Sequence, residues 1–396
     1  MVLNNEHSHF LLHKALHDKM SKIYIYQALL IFVKSLIGIF VPIYLYSIGF
    51  SLTYICIYLI GISLTYLLGI PIAIKIINEI GFKYTILLSI PFYILHLTSV
   101  KFIESNHYFF HISWLTLGIY FSLFWPAFHS EIAVSGNNKS RGSQIGTLQI
   151  ITILFGSFAP LIGGFILQTT GYALLLFISS FLLLLGLFPL LTSKEIKIKK
   201  INFKYYDYIR FIKDQKKVRA KQAFKAEGID SFLTFTFWPI VLFILLNKNF
   251  LNLGTLLTSV SLISVIFIFY YKSFFDRTNK QKALKFVSST KSINWFLRTI
   301  IILFGTTLLY FVESLYKLIH SFFTLSFQSI FYNNATKENY LSYIVFRDFY
   351  LHTAKITFAL LIICSIYFLG ETKELFIFAT FFGILAPVGL SKLKEE

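Results

Sequence analysis

Seven ionisable side chains lie inside long apolar stretches of the sequence, and they are the residues best placed to do chemistry. If those stretches cross a lipid bilayer, each ionisable group costs at least ~2.5 kcal/mol to insert, so it needs a counter-charge or a watery cavity. A carboxylate there can pair with a cation or carry a proton, and a lysine can attract an anion. The seven residues are Lys34, Arg298, Glu313, Lys317, His320, His352 and Lys355.

The clearest pairing among them is between Arg298 and Glu313. If Gly305 is the turn of a helical hairpin, Arg298 lies seven residues before the turn and Glu313 lies eight residues after it. At the rise of an α-helix, both side chains then sit about 10 to 12 Å below the same end of the hairpin. We expect a structural ion pair, with a gating or proton-carrying role for Glu313 as the alternative.

Three of the seven residues share one helix face. Glu313 precedes Lys317 by four residues, and Lys317 precedes His320 by three, so all three project from the same side of a helix. Lys34 stands eleven residues into a separate apolar run that begins near residue 24. Either Lys34 faces a cavity near mid-membrane, or its long side chain bends toward the lipid headgroups.

The elements that must position these side chains are membrane-spanning helices. The 396 residues are 56% hydrophobic and only 14% charged, whereas soluble proteins carry about a quarter charged residues. Apolar residues fall in blocks of roughly twenty, the length that crosses a ~30 Å hydrocarbon layer as a helix. This composition excludes a soluble catalytic domain. The net charge of +18 then indicates cytoplasmic loops rather than nucleic-acid binding.

The apolar blocks predict an all-α integral membrane protein with twelve transmembrane helices in two pseudo-symmetric six-helix bundles. Residues 1–23 are expected to form a cytoplasmic amphipathic segment, 24–193 the first bundle, 194–228 a basic cytoplasmic linker and 229–396 the second bundle. The predicted spans lie near residues 24–47, 52–77, 84–101, 108–130, 143–169, 172–192, 229–247, 252–271, 283–304, 306–331, 341–368 and 371–390.

The distribution of lysine and arginine predicts the orientation of these spans. With the N-terminus inside, twelve of these residues fall in the loop from Lys194 to Lys225 and six fall between Lys272 and Lys291. Positive charge in short loops marks the cytoplasmic side. Both termini are therefore expected in the cytoplasm, and the protein is expected in the plasma (inner) membrane. The opposite side receives only Lys101, Lys248 and Lys373.

Two weak internal repeats support a duplicated architecture. The segment NEIGFKY begins at Asn78 after the second predicted span, and DRTNKQK begins at Asp276 after the eighth, an offset of 198 residues. The pairs at 137–138 and 333–334 are both Asn-Asn and precede the fifth and eleventh spans, an offset of 196 residues. Offsets near half the chain length are typical of a fold built from two repeats.

The two halves, the long basic linker and the charged turns resemble the major facilitator superfamily of transporters. The family's turn motif reads Gly-x-x-x-Asp-Arg/Lys-x-Gly-Arg/Lys-Arg/Lys. In the second half Asp276, Arg277 and Lys280 match it, and in the first half Gly81 and Lys83 do. At the cytoplasmic surface Asp276 and Arg277 are expected to cap helix ends and to pair between helices as a gating latch. The alternative is a solvated turn that contributes under about 1 kcal/mol.

The fifth span is similar to a second family motif, Gly-Pro-x-x-Gly-Gly. It carries Pro160, Gly163 and Gly164, with Ala159 in place of the first glycine. Small residues allow one helix backbone to approach another closely in a membrane, and Pro160 removes one internal hydrogen bond. This helix is therefore expected to pack tightly and to bend.

The resemblance implies a secondary transporter that moves a small polar or anionic solute by alternating access. In the resembled family the first, fourth, seventh and tenth spans line a central cavity, which would place Lys34, Lys317 and His320 beside it. Two cations and few acids favour an anionic or polar solute. The indole rings of the fourth and seventh spans would form stacking walls or, alternatively, pack at the lipid interface. These are Trp114, Trp125 and Trp238.

The partners implied are the lipid bilayer and a small solute, with a proton as the candidate coupling ion, acting on a monomer. No catalytic residue, cofactor or metal site is predicted, and the sequence contains no Walker A or metalloprotease motif. Transport would therefore not be driven by ATP hydrolysis within this chain. The alternative function is a non-transporting membrane scaffold or sensor that retains the fold.

Overall fold

The structure is a computed structural model that describes residues 19–135, 141–192, 200–213, 217–276 and 279–395. Within these ranges the side chains are described except at residues 19–24, 135, 141–149 and 266–276. The described residues form helices joined by short turns and include no β-strand. An all-α chain is therefore confirmed for these ranges, and residues 1–18 of the amphipathic segment predicted at 1–23 lie outside them.

The helices of the described ranges are numbered in chain order. Two of them, α1 (19–47) and α8 (218–245), each contain one wider π-helical turn, at Lys34–Gly38 and at Leu233–Phe237. The two turns are offset by nearly the same distance as the sequence repeats. The helices are α1 (19–47), α2 (52–80), α3 (82–102), α4 (Tyr108–Ser135), α5 (Arg141–Thr169), α6 (Tyr172–Leu191), α7 (Asp207–Lys213), α8 (218–245), α9 (Phe250–Asp276), α10 (Lys280–Phe304), α11 (Leu309–Lys337), α12 (Tyr340–Leu369) and α13 (Lys373–Leu390).

Glycine marks two of the reversals between helices. The stretch Leu52–Phe102 is divided into α2 and α3 at Gly81, whose φ of 90° is a left-handed conformation that glycine adopts without steric cost. Gly305, with φ 105°, separates α10 from the start of α11. The hairpin turn predicted at Gly305 is therefore present, and it sets α10 and α11 side by side.

The number of membrane crossings is supported only in part. Among the described residues, seven helices are long and apolar enough to cross a membrane, namely Ile25–Ser47, Leu52–Phe102, Ile150–Thr169, Tyr172–Leu191, Val218–Leu245, Tyr340–Leu369 and Lys373–Leu390. A multi-pass membrane protein follows from this set. Twelve crossings and the division into two six-helix bundles stay predictions.

Two helix pairs make the most extensive contacts between the helices before the linker and those after it. α5 packs on α9, and α2 packs on α12. A Cβ atom on Gly164 would lie 2.4 Å from the backbone oxygen of Phe250, and one on Gly254 would lie 2.4 Å from that of Pro160. A Cβ atom on Gly163 would lie 2.1 Å from a backbone oxygen of α1. Glycine at these positions therefore allows α5 to touch both neighbours, as expected from the sequence.

The boundary between the helices before the linker and those after it is called the seam. The linker crosses this seam through α7. The Tyr208 hydroxyl donates to the Leu67 carbonyl of α2 at 2.7 Å, a carbonyl without its helical donor because Pro71 has no N–H. The ring of Tyr208 stacks on Phe349 of α12, with centroids 5.0 Å apart. Burial raises the pKa of the Tyr208 phenol, so the hydroxyl stays protonated and able to donate.

α8 begins at Val218, within the stretch predicted as linker. Residues 218–228, VRAKQAFKAEG, are rich in good helix formers but contain several charges. Hydropathy detects only the apolar part of a helix, whereas alanine, lysine and glutamine extend it by intrinsic propensity. The helix therefore runs about three turns beyond the apolar span.

Candidate functional site

Arg298 and Glu313 form the ion pair that their positions around Gly305 predict. Nε of Arg298 donates to Oε1 of Glu313 at 2.9 Å, and Nη2 donates to Oε2 at 2.7 Å. Both residues are buried, with 1% and 4% of their surface exposed. The bidentate geometry offsets part of the cost of placing both charges away from water.

Aromatic rings enclose this ion pair. The Trp238 indole donates to Oε1 of Glu313 at 3.0 Å. The guanidinium carbon of Arg298 lies 3.5 Å from the ring centroid of Tyr316. It lies 4.6 Å from the ring centroid of Trp238 and 4.5 Å from that of Trp295. Trp238 therefore holds the ion pair instead of presenting an open stacking wall, because its ring and its N–H are both engaged.

A second buried ion pair joins α10 to α8 and was missed from the sequence. Lys291 Nζ donates to Oδ2 of Asp230 at 2.6 Å, and it also lies 3.4 Å from Nδ1 of His320. Lys291 is fully buried and Asp230 is 4% exposed. Asp230 falls at the edge of a predicted span, and Lys291 was counted with the cytoplasmic cations. The available signal was its spacing: Lys291 precedes Arg298 by seven residues, or two turns of one helix face.

Lys34 lies in an aromatic pocket formed by α4. Its ammonium nitrogen is 4.2 Å from the ring centroid of Trp125, 4.6 Å from that of Phe124 and 5.7 Å from that of Tyr120. Lys34 is half-buried and begins the π-helical turn of α1. Within the described ranges no carboxylate lies at ion-pair distance from it. Its positive charge is therefore stabilised by ring faces but not neutralised.

Lys317 and Lys34 contact different sets of residues. Lys317 is half-buried on α11, three residues before His320 on the same helix face. His320 in turn stacks on Tyr316 with centroids 5.6 Å apart and faces Lys291. Lys34 instead contacts α4. Their convergence on one cavity stays a prediction.

Trp114 has a packing contact in the structure. A Cβ atom on Gly61 of α2 would lie 2.5 Å from the Trp114 ring, so the indole fills the space that this glycine leaves. His111 meets the edge of the same ring, with centroids 6.1 Å apart. These contacts favour the packing interpretation for Trp114, whereas Trp125 contacts Lys34.

A polar cluster joins the two sides of the seam near the predicted cytoplasmic ends of α4 and α12, and the sequence analysis did not identify it. Nδ1 of His129 lies 2.6 Å from the Tyr332 hydroxyl, and its Nε2 lies 3.5 Å from Nη1 of Arg347. Arg347 makes a bidentate ion pair with Glu227 of α8. Asp348 accepts from the Tyr66 hydroxyl of α2. Residues from five helices, two before the linker and three after it, therefore contact one another here.

The turn-motif residues act on backbone ends. Nζ of Lys83 donates at 2.8 Å to the Leu191 carbonyl, where α6 ends, so the lysine supplies positive charge at a helix C-terminus. Asn78 exchanges two hydrogen bonds with the backbone of Ile201 in the linker, at 2.6 and 3.2 Å. The side chain of Asp276 and the whole of Arg277 lie outside the described residues, so their predicted latch stays a prediction.

Apolar helices of membrane-crossing length, with buried ion pairs between them and a polar seam, define a multi-pass membrane protein built around internal charges. The sequence profile of the Major Facilitator Superfamily matches residues 23–346. The chain belongs to this superfamily, and the family supports a membrane transporter. A comparison with curated proteins finds no match.

Solved structures of transporters share this fold. The crystal structure of the human organic anion transporter MFSD10 (TETRAN) is similar with a TM-score of 0.68 and 13% identity, over 94% of this chain and 98% of that one. The crystal structure of a D-xylose-proton symporter is similar with a TM-score of 0.69 and 13% identity, over 95% and 98% of the two chains. At this identity the likeness shows the fold alone.

Proposed function

We propose that this protein is a secondary transporter of a small polar or anionic solute, working by alternating access. The helices before and after the linker would rock as two six-helix units around a site near Lys34. We place it in the plasma (inner) membrane as a monomer with both termini in the cytoplasm. The family match supports transport, and the charge distribution in the loops supports the orientation.

The observation that carries the anion proposal is the environment of Lys34. Ring faces of Tyr120, Phe124 and Trp125 stabilise its ammonium, at about 0.5 to 2 kcal/mol for a cation over an aromatic ring. That is less than a buried counter-ion supplies, so an incoming anion would provide the full neutralisation that the rings do not. Lys291 and Arg298, by contrast, already have carboxylate partners and need no ligand.

Binding to purified protein tests this proposal. We expect succinate or glucose 6-phosphate to raise the unfolding temperature of the protein, because a ligand at 100 Kd stabilises by about 2.7 kcal/mol. D-xylose is the neutral comparison. The Lys34→Gln variant should fold and lose the anion effect, whereas Lys75→Gln, on the exposed face of α2, should keep it. A stabilisation that survives Lys34→Gln would contradict the site.

A non-transporting scaffold or sensor is the second candidate function. The observation that favours it is Asn78, which stands where the family motif has an acidic residue and instead binds the Ile201 backbone. Such a contact holds the linker against the end of α2 and would oppose a rocking movement of the helices before the linker against those after it. Solute uptake into proteoliposomes distinguishes the two functions, since a scaffold would bind an anion without moving it.

A further inference from the structure

His129 lies at the seam between the helices before and after the linker. It is buried on α4, and its ring stacks on Trp125 with centroids 5.2 Å apart and an interplanar angle of 20°. Its two nitrogens face residues of α11 and α12: Nδ1 faces the Tyr332 hydroxyl at 2.6 Å, and Nε2 faces Arg347 at 3.5 Å. The imidazole therefore connects the Lys34 pocket to the opposite side of the seam.

These contacts assign the protonation state of the ring. A guanidinium has donors only, so the nitrogen that faces Arg347 must accept and cannot carry a hydrogen. The remaining hydrogen is then on Nδ1, which donates to the Tyr332 oxygen. His129 is neutral in this conformation, and a second proton on Nε2 would point at a cation.

The charges around His129 oppose that second proton. Lys34 of α1 lies 4.2 Å from the centroid of the Trp125 ring on which His129 stacks. Arg347 of α12 is paired with Glu227 of α8 and with Asp348, so two carboxylates balance it. Tyr332 of α11 places its hydroxyl 2.6 Å from Nδ1. Glu131 is also buried on α4, but it is two residues further along and therefore on another side of the helix.

Lys34 is therefore the cation near His129 without a carboxylate partner among the described residues. We propose that His129 binds the coupling proton of this transporter, and that the proton moves together with an anionic solute at Lys34. This inference rests on the proposed anion site. An anion at Lys34 removes the positive charge that repels a proton at His129, so each favours the other, and linkage makes the effect reciprocal.

The seam explains how the loaded site would open. Protonated at Nε2, the ring loses its acceptor for Arg347 and places like charges 3.5 Å apart. The contact between α4 and α12 then becomes repulsive, and the helices separate at this end. Opening admits water, which takes the proton from Nε2 and solvates the anion. Both leave on the same side, so the inferred mode is symport.

Tryptophan fluorescence reads the protonation of His129 directly, because a protonated imidazole stacked on an indole quenches it. We use the His111→Gln background, since His111 borders Trp114 and would add its own titration. Fluorescence is followed from about pH 8 to about pH 5 with succinate or glucose 6-phosphate present, because the anion at Lys34 is what favours the second proton. We expect the remaining pH-dependent change to be lost in both His129→Gln and Trp125→Phe. If it persists in both variants, the inference is overturned, and Trp125→Phe gives the answer even if His129→Gln does not fold.

Repeating the titration with and without an anion distinguishes the proton inference from the anion site on which it rests. With succinate or glucose 6-phosphate present, the midpoint of the His129 titration should move to higher pH, and the anion should bind about fivefold or more tightly at the acidic end. Anion binding that depends on Lys34 but not on pH would overturn the proton inference and leave the anion site standing. No binding of either anion would overturn both, while D-xylose should leave the midpoint unchanged.

Discussion

Removing the carboxylate of Glu313 should destabilise the fold strongly, because it leaves the Arg298 guanidinium buried without a counter-ion. In Glu313→Gln the amide oxygen can still accept one hydrogen bond, but the two charge-assisted bonds at 2.9 and 2.7 Å are lost. Breaking a buried pair on one side costs about 3 to 5 kcal/mol. The rings of Trp238, Trp295 and Tyr316 remain and favour the low end, about 3 kcal/mol, which is roughly a hundredfold in the folding equilibrium.

The double variant separates a structural pair from two independent residues. Arg298→Gln with Glu313→Gln removes both charges, so much of the loss should be recovered. The assay is the fraction of monodisperse protein after extraction, together with the unfolding temperature. Lys101→Gln is the control, because the Lys101 and Glu104 pair is exposed at 3.6 Å and should change stability by less than about 1 kcal/mol. Equal yields of the single and double variants would refute the structural role.

Three further perturbations test other contacts. Asp230→Asn should destabilise by about 3 to 5 kcal/mol, because Lys291 then lacks its counter-ion; recovery of the unfolding temperature by adding Lys291→Gln is the check. Gly164→Leu should separate α5 from α9 and abolish the monodisperse peak in size-exclusion chromatography, since even a Cβ atom lies 2.4 Å from a backbone oxygen. Tyr208→Phe removes one hydrogen bond to α2, about 1 kcal/mol, and should speed proteolysis of the linker roughly fivefold. Tyr206→Phe, an exposed neighbour, should have no such effect.

The Arg298 and Glu313 pair was predictable because its geometry is local. The two residues are fifteen positions apart, and one glycine turn with a known helical rise brings them to the same depth. The pair of Lys291 with Asp230 spans 61 positions and two helices that are not consecutive. Its depth could be inferred from helix periodicity, but the choice of partner depends on how α8 packs against α10.

His129 shows the same limit more sharply. Its partners on α11 and α12 are 203 and 218 positions away, and nothing in their local sequence distinguishes a histidine at a helix seam from one within a bundle. His96, for comparison, is also a buried histidine in a membrane helix, but it bonds to Ser113 among the helices before the linker.

The sequence by itself determined the class of protein, the approximate positions of the helices apart from the start of α8, and the level of Arg298 relative to Glu313. Those properties follow from hydropathy and from the fixed rise of a helix, which are local along the chain. Only the tertiary structure decided that Trp238 holds an ion pair while Trp125 lies under Lys34, and that Arg347 meets Glu227 and His129. Helix rotation and partner choice depend on the packing of small residues such as Gly164 and Gly254, which is a property of two surfaces together.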